Sequence, residues 1–447
     1  MSVPEVQRYH SLIDEAALPA SELSAFLDRI RDARVTFGER VSCHYFRPQM
    51  LTPAQYEQIR RVVRHIWSAL EKLAPVIAGR DDLQDRLGLT PRERELAAID
   101  PGYRRVSPMA RFDSFLVDDR LSFVELNAEC PAGPAYTEVL AGVFLDWPVM
   151  RSFQQDFEVR PFETRRRLRE TLLATWAEWG GKGKPVIAIV DWSDVPTYSE
   201  FELCKEYFTS EGLETHIADP RDLTYDGERL RTKDGVAIDL VYRRVLTNEF
   251  LEKFDEVQPM LEAYRERKVC VINPFRSKYL HKKAIFALLT AEDLQHLFTS
   301  GEQEAIRAHI PWSRILTDDR TEHDGTTIDL VPWSKANRER LVLKPNDEYG
   351  GKGIHIGWTM DQAAWDLAVD EAVDQDYLVQ QAVEVAYMDF PTWTGEGLTF
   401  QRQLVDLDPY VFEGEVEGIL TRLSASALAN VTAGAGIVPT FVVSPRS

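Results

Sequence analysis

The sequence predicts a mixed α/β protein, α+β in its overall make-up, assembled from several substructures. Three observations lead there. The first hundred residues carry apolar stripes at helical spacing. Residues 184–275 alternate short apolar runs with a helical pattern, as a parallel βαβ unit does. Residues 341–358, LVLKPNDEYGGKGIHIGW, read as strand, glycine-rich turn, strand.

Composition narrows the function. The chain has 447 residues, 44% of them hydrophobic, enough for a large core and too many for one ordinary domain. Its 52 Lys+Arg against 72 Asp+Glu give a formal net charge of -20, which argues against duplex nucleic acid and anionic membranes as partners. Cys43, Cys130, Cys204 and Cys270 are far apart and lack metal-ligand spacing. With no apolar signal-peptide core near the N-terminus and no run approaching the roughly 18 apolar residues of a membrane span, a reduced, cytoplasmic protein is expected. Oligomeric state is not legible.

Taken in order, the stripe Leu23, Phe26, Leu27, Ile30 predicts a helix capped by Ser21. The stripe Val62, Val63, Ile66, Leu70, Leu73, Val76 predicts a second, closing near Gly79. Residues 112–117 and 121–126 then read as two strands joined by a turn at Asp118-Asp119. Strand alternation puts Arg111 with Asp113 on one face and Glu125 with Asn127 on one face. A cation, two carboxylates and an amide oxygen can thus converge, and hard oxygen ligands of that kind suit Mg²⁺ held jointly with nucleotide phosphates. A solvent-facing polar strand side fits the same pattern. Pro131, Gly133 and Pro134 make a bend into a helix from about Tyr136, and residues 164–179 form a charged helix ended by Gly180-Gly181.

In the βαβ region the predicted strands are 186–190, 213–218 and 238–242, with a helix at 198–210. No GxGxxG follows the first strand, which disfavours a dinucleotide. Asp191, Tyr198 and Glu200 fall where open α/β sheets usually bind ligands. Lys282 and Lys283 precede a helix at 284–289, where the helix dipole disfavours cations; a bound anion or plain solvation would each allow it. In the glycine-rich turn, Gly350, Gly351 and Gly353 can bring backbone N–H groups close to an anion, with Lys344 and Lys352 beside them. That is a phosphate cradle, or else a hairpin with a flexible tip. It is not a Walker loop, since it returns into a strand. A helix at 362–373 and a strand at 377–382 follow, with Gln380, Gln381 and Glu384 at its end. A strand edge there can pair with adenine, and a carboxylate can accept from ribose hydroxyls. Asp406 and Arg422 lie in later strands, and Asn430 precedes a second glycine-rich turn.

Together these segments resemble the ATP-grasp superfamily, and more closely its circularly permuted branch, related to the glutathionylspermidine synthetase catalytic domain. The resemblance rests on Arg111-x-Asp113 with Glu125-x-Asn127, on Lys282-Lys283-Ala284, on Lys344-Pro345 with Gly350-Gly351-Lys352-Gly353, and on Leu420-Thr421-Arg422. The order of these motifs, metal hairpin early and glycine loop late, is that of the permuted branch. The resemblance implies Asp113, Glu125 and Asn127 as ligands of two Mg²⁺ ions and Arg111, Lys344 and Arg422 as catalytic residues. It also implies Lys283, Lys344, Gly350, Gly351, Lys352, Gly353, Gln381 and Glu384 as the ATP site. The chain is then expected to divide into a helical region (1–100), a metal-binding hairpin with helices (101–183), a pre-grasp α/β region (184–275) and a nucleotide-binding region with a glycine-rich lid (276–447). Gln380-Gln381 stands where many relatives have Glu, and no amidase domain with a nucleophilic Cys precedes the synthetase region. The implied activity is an ATP-dependent carboxylate–amine ligase joining small molecules through an acyl phosphate. A non-catalytic ATP-binding scaffold and a small-molecule kinase are the alternatives.

Overall fold

The computed structural model describes residues 3–348, 350–373, 375–395, 397–426 and 434–446. Asn430 lies outside them. Helix Pro53–Ala78 forms because Thr52 and Gln55 make a reciprocal capping box, Pro53 occupies the first turn, and Gly79 ends it. Its apolar stripe packs on the strands Glu415–Ser424 and Gly436–Pro445, with Ile59, Val63, Ile66 and Leu70 fully buried. The earlier helix runs Ala20–Asp32 and buries Leu23, Phe26 and Ile30. Ser21 does not cap it: Pro19, with φ -69 and ψ 154, is the cap residue, and no side chain bonds the first turn. The ring fixes φ and starts the helix before Ser21 can act. The N-terminal region is also not wholly helical, because Gln49–Leu51 joins a large sheet parallel to Gly436–Pro445.

That sheet is the core of the protein. Its main path runs Gln49–Leu51, Gly436–Pro445, Glu415–Ser424, Leu398–Phe412, Met109–Val117, Arg120–Asn127. Ala386–Trp393 and Phe157–Arg160 pair onto it from the side. The early hairpin therefore sits beside strands from the end of the chain, with Arg111 opposite Tyr410. The hairpin closes on Asp118 and Asp119, both at positive φ (44° and 65°). This is the two-residue turn whose twist matches antiparallel strands. It fixes the register from Val117↔Arg120 to Ser114↔Phe123, and a bulge between Asp113 and Ser114 then shifts the pairing by one residue to Asp113↔Glu125 and Arg111↔Asn127.

Two smaller sheets flank the core. One is parallel, ordered Cys270–Ile272, Leu240–Arg243, Ile187–Val190, Thr215–Ala218, with helix Tyr198–Ser210 as a crossover. All four residues of Ile187–Val190 are buried, as a central parallel strand requires. The other is antiparallel, ordered Ser313–Ile315, Tyr377–Gln381, Leu341–Pro345, His355–Ile356. Trp365 and Val369 of helix Gln362–Ala372 pack on it. The glycine loop leaves this sheet after Pro345 and returns at His355. Gly353, at φ 67°, lies so close to Tyr377 Oη and Pro345 that an added Cβ would stand 2.7 and 2.8 Å from them. Among the described residues, no helix is long and apolar enough to cross a membrane. All four cysteines are unpaired.

Candidate functional site

The three sheets meet around one cavity of about 610 Å³. Strand alternation builds its floor. Leu398–Phe412 lies between Met109–Val117 and Glu415–Ser424, with Asp406 opposite Arg422. Arg111, Asp113, Asp406, Asp408 and Arg422 therefore share one face. Arg111 Nε donates to Asp113 Oδ1 at 3.0 Å, and Asn127 Nδ2 donates to the same oxygen at 3.0 Å. Arg422 Nη2 donates to Asp113 Oδ2 at 2.7 Å and also to Asp406. Its Nε stands 2.9 Å from Asp408 Oδ2, but off line for a hydrogen bond.

The floor is a charge cluster with one carboxylate in excess: Asp113, Asp406 and Asp408 against Arg111 and Arg422. Burial works against every charge in it. At Asp113 the two guanidiniums outweigh that effect and hold the carboxyl at about 2. At Asp408 burial wins over Arg422 and pushes the carboxyl well above the usual range; Asp406 shifts the same way for the same reason. The three aspartates present oxygens within 4.8 Å of one another, yet Arg422 already lies among them. Among the described residues, nothing donates to Asn127 Oδ1, and Glu125 is met only through one oxygen, by Lys283 Nζ at 3.3 Å. Glu125 and Asn127 thus offer hard oxygens to the cavity beside Asp113, whose own two oxygens are engaged by Arg111, Asn127 and Arg422, and Mg²⁺ suits oxygens of that kind.

The opposite wall comes from the antiparallel sheet and its loop. Lys344 is buried between Gln380 Oε1 (2.8 Å) and the Val124 carbonyl (3.1 Å). Burial lowers its ammonium to about 8, against the pull of Glu125. Lys283 donates to the Glu348 carbonyl. Gly350, Gly351 and Lys352 line the cavity above these cations. Beside them Val342, Ile354, Ile356, Val383 and Val385 form an apolar slot.

Residues 48–424 match the family described as circularly permuted ATP-grasp type 2. The chain belongs to that family. Its members use ATP and Mg²⁺ in general, in keeping with the oxygen-rich floor. Among curated proteins, a glutamate–cysteine ligase 2-2 of Frankia casuarinae is 24% identical over 293 residues, which is 62% of this chain and 31% of that protein. The chain thus spans about a third of that relative's length. Among solved structures, a glutathione synthetase-like effector from Globodera pallida in apo form superposes with TM-score 0.59 at 13% identity, covering 94% of this chain and 96% of that one. A gamma-glutamylcysteine synthetase from Methylobacillus flagellatus gives TM-score 0.40 at 12% identity, with 85% of each chain covered.

Against this ATP-grasp frame, the residues singled out from the sequence separate clearly. Arg111, Asp113, Glu125, Asn127, Lys283, Lys344, Gly350, Gly351, Lys352, Gln381 and Arg422 all line the cavity. Gly353 lies in the same loop without lining it, and Glu384 is exposed and outside the lining. Lys282 turns away from the cavity, to Glu93 and Asp347 at 3.3 and 3.1 Å. Of the two glutamines, the buried one is Gln380, which fixes Lys344. Asp408 belongs to the site too; its signal in the sequence is a second carboxylate at period two from Asp406 in the otherwise apolar run 404–412.

The parallel sheet supplies the remaining lobe. Asp191, directly after Ile187–Val190, lines it and is pushed up to about 7 by burial, despite the opposing pull of Arg244. Glu200 is buried and accepts from Gly133 N (2.8 Å) and Ala135 N (3.2 Å), so it anchors the Pro131–Gly133 bend. Tyr198 is exposed and outside the lining.

Proposed function

We propose that this protein is an ATP-dependent carboxylate–amine ligase that forms an amide bond between two small molecules through an acyl phosphate. The observation that carries this is the convergence, in one cavity, of a carboxylate–amide set, the cations Arg111, Lys283, Lys344, Lys352 and Arg422, and a glycine loop. A scaffold has no use for so many charges held against burial. The name of the curated relative supports a ligase, as does the family. The resemblance to glutathionylspermidine synthetase concerns this chemistry and does not specify substrates.

The positions of these residues along the cavity support the following roles. Asp113, Glu125 and Asn127 would hold Mg²⁺, two ions in all. The metal would supply positive charge to phosphate oxygens while the γ-phosphoryl moves. Lys283 and Lys352, with the N–H groups of the Gly350–Gly353 loop, meet the nucleotide phosphates. The apolar slot takes the adenine face, with Gln381 and Glu384 at its edge. Arg111, Lys344 and Arg422 face the reacting phosphoryl group. A carboxylate oxygen attacks the γ-phosphorus and ADP leaves. The amine nitrogen then attacks the acyl carbon, and phosphate departs carrying that carboxylate oxygen. The three cations hold the anion through both steps, and the closed loop keeps water off the acyl phosphate.

The test is ADP release with Mg²⁺ across panels of carboxylates and amines. Release that requires both partners is expected. Release with a single acceptor would make the protein a kinase, and none with any pair would make it a scaffold.

A further inference from the structure

The lobe between the parallel sheet and the Pro131–Gly133 bend is built differently from the phosphate end. Two opposite charges stand at its base on neighbouring strands. Arg243 pairs in register with Val190, and Arg244 N donates to the Val190 carbonyl at 2.8 Å. Arg244 and Asp191 therefore leave adjacent strand ends side by side. Both line the cavity, and they are 6% and 8% exposed.

Despite this they do not pair. No cation among the described residues lies within 4.0 Å of an Asp191 oxygen, and its only hydrogen bond is from the adjacent Trp192 N, at 2.8 Å to Oδ1. Arg244 spends one arm on structure: Nη1 donates to the Pro131 carbonyl at 3.0 Å and to Tyr242 Oη at 3.3 Å. Its Nη2 reaches Glu200 only at 3.9 Å, too far for a hydrogen bond, and neither Nη2 nor Nε donates to any described residue. Arg244 thus has only the distant Glu200 carboxylate beyond its two structural bonds, and Asp191 only a backbone N–H. Both nearly buried groups are left short of hydrogen-bond partners, which is costly unless something sits between them. A ligand with both an ammonium and a carboxylate would answer each.

Resting on the ligase reading above, we infer that this lobe binds the head of an α-amino acid, with Arg244 taking its carboxylate through Nη2 and Nε and Asp191 taking its ammonium. The fork of a guanidinium suits a carboxylate in two-point contact. The lobe opens directly onto the phosphate end: Arg111 grips the Ala132 carbonyl at 3.1 Å while Arg244 grips that of Pro131. The two arginines thus grip neighbouring carbonyls of one bend, so the amino-acid head would lie in the same cavity as Arg111, with its side chain or its own amine free to extend towards the phosphate end. Burial of Asp191 agrees with such a partner, since an ammonium stabilises the carboxylate that burial disfavours.

The experiment is calorimetric binding to the full chain preloaded with Mg·ADP. The probes are the common amino acids, the matching amines lacking the carboxylate and the matching acids lacking the amino group. At least one amino acid should bind, and each of its two analogues should bind at least tenfold more weakly. Asp191→Asn should abolish the preference for the amino acid over its deaminated analogue. Arg244→Lys should abolish the preference over the decarboxylated one, with Mg·ADP binding checking that each variant is folded. Equal binding of an amino acid and its decarboxylated analogue would overturn the assignment, as would a panel in which Mg·ADP binds and no amino acid does. An amino acid that binds as described but supports ADP release with no partner would remove the ligase reading and leave this subsite standing.

Discussion

Replacing Glu125 by Gln separates a metal-holding role from a structural one. In the fold Glu125 opposes Asp113 across the hairpin and receives Lys283 Nζ at 3.3 Å. The pair is largely buried, with Lys283 7% and Glu125 19% exposed, but the amide oxygen can still accept from Lys283. Losing the charge costs about 1–3 kcal/mol. Lys283 keeps its bond to the Glu348 carbonyl, and the amide retains the shape of the carboxyl. For a chain of this size the melting temperature should fall by no more than about 3 °C. Catalysis is another matter, because the lost charge faces the cavity where phosphate charge is redistributed. Removing a main electrostatic stabiliser typically lowers turnover by about 10²-fold or more. The assay is ADP release at saturating Mg·ATP beside a thermal melt of the same sample. Near-normal release by Glu125→Gln would refute the reasoning. The hairpin would then be a polar strand face, and the roles given to Arg111, Asp113 and Asn127 would fall with it.

Other outcomes follow from the same geometry. Mg·ATP should raise the melting temperature, and ATP with EDTA should do so much less, because Asp113, Glu125 and Asn127 are too few to hold Mg²⁺ without phosphates. Amide hydrogens of residues 350–353 should exchange fast in the free protein and slow with Mg·ATP; protection equal to the flanking strands without ligand would exclude a lid. Arg422→Met should destabilise by about 3–5 kcal/mol, since it strands buried carboxylates at positions 113, 406 and 408, and a further Asp408→Asn should recover part of the loss in denaturant melts. Asp191 has its carboxyl raised from 3.8 to about 7, so the folded chain holds a proton that the unfolded chain releases, and stability falls as pH rises between those values. Asp191→Asn should therefore gain stability over the parent across that window, by at most about 4 kcal/mol at pH 8, and match it near pH 4.

What could be read from the sequence was local or periodic. Alternation and the Asp118-Asp119 turn bring Asp113 near Glu125, but the turn alone would set Asp113 opposite Val124; the bulge after Asp113, which no local pattern specifies, supplies the one-residue shift. The helix Tyr198–Ser210 was likewise set by its own pattern and the Gly212 stop. What escaped depends on partners far along the chain. That Arg422 would meet three aspartates follows from which strands adjoin in the large sheet, and no local pattern specifies that order. The pair Gln380-Gln381 shows the limit of period two. The pattern places both at a strand end, but only docking of Leu341–Pro345 decides that Gln380 turns in to Lys344. Ser21 failed as a cap because Pro19 had already set the backbone. Asp191 was placed at a ligand-binding strand end, while its neighbour Arg244 became meaningful only once two parallel strands stood side by side.

The central claim is an acyl phosphate, and oxygen tracing tests it most directly. The protein is given Mg·ATP, an amine panel and carboxylates labelled with ¹⁸O in both oxygens, and the inorganic phosphate released is analysed by mass. One labelled oxygen per phosphate is the predicted result, because the carboxylate oxygen that attacked the γ-phosphorus leaves with it. Amide formation with unlabelled phosphate would contradict the account.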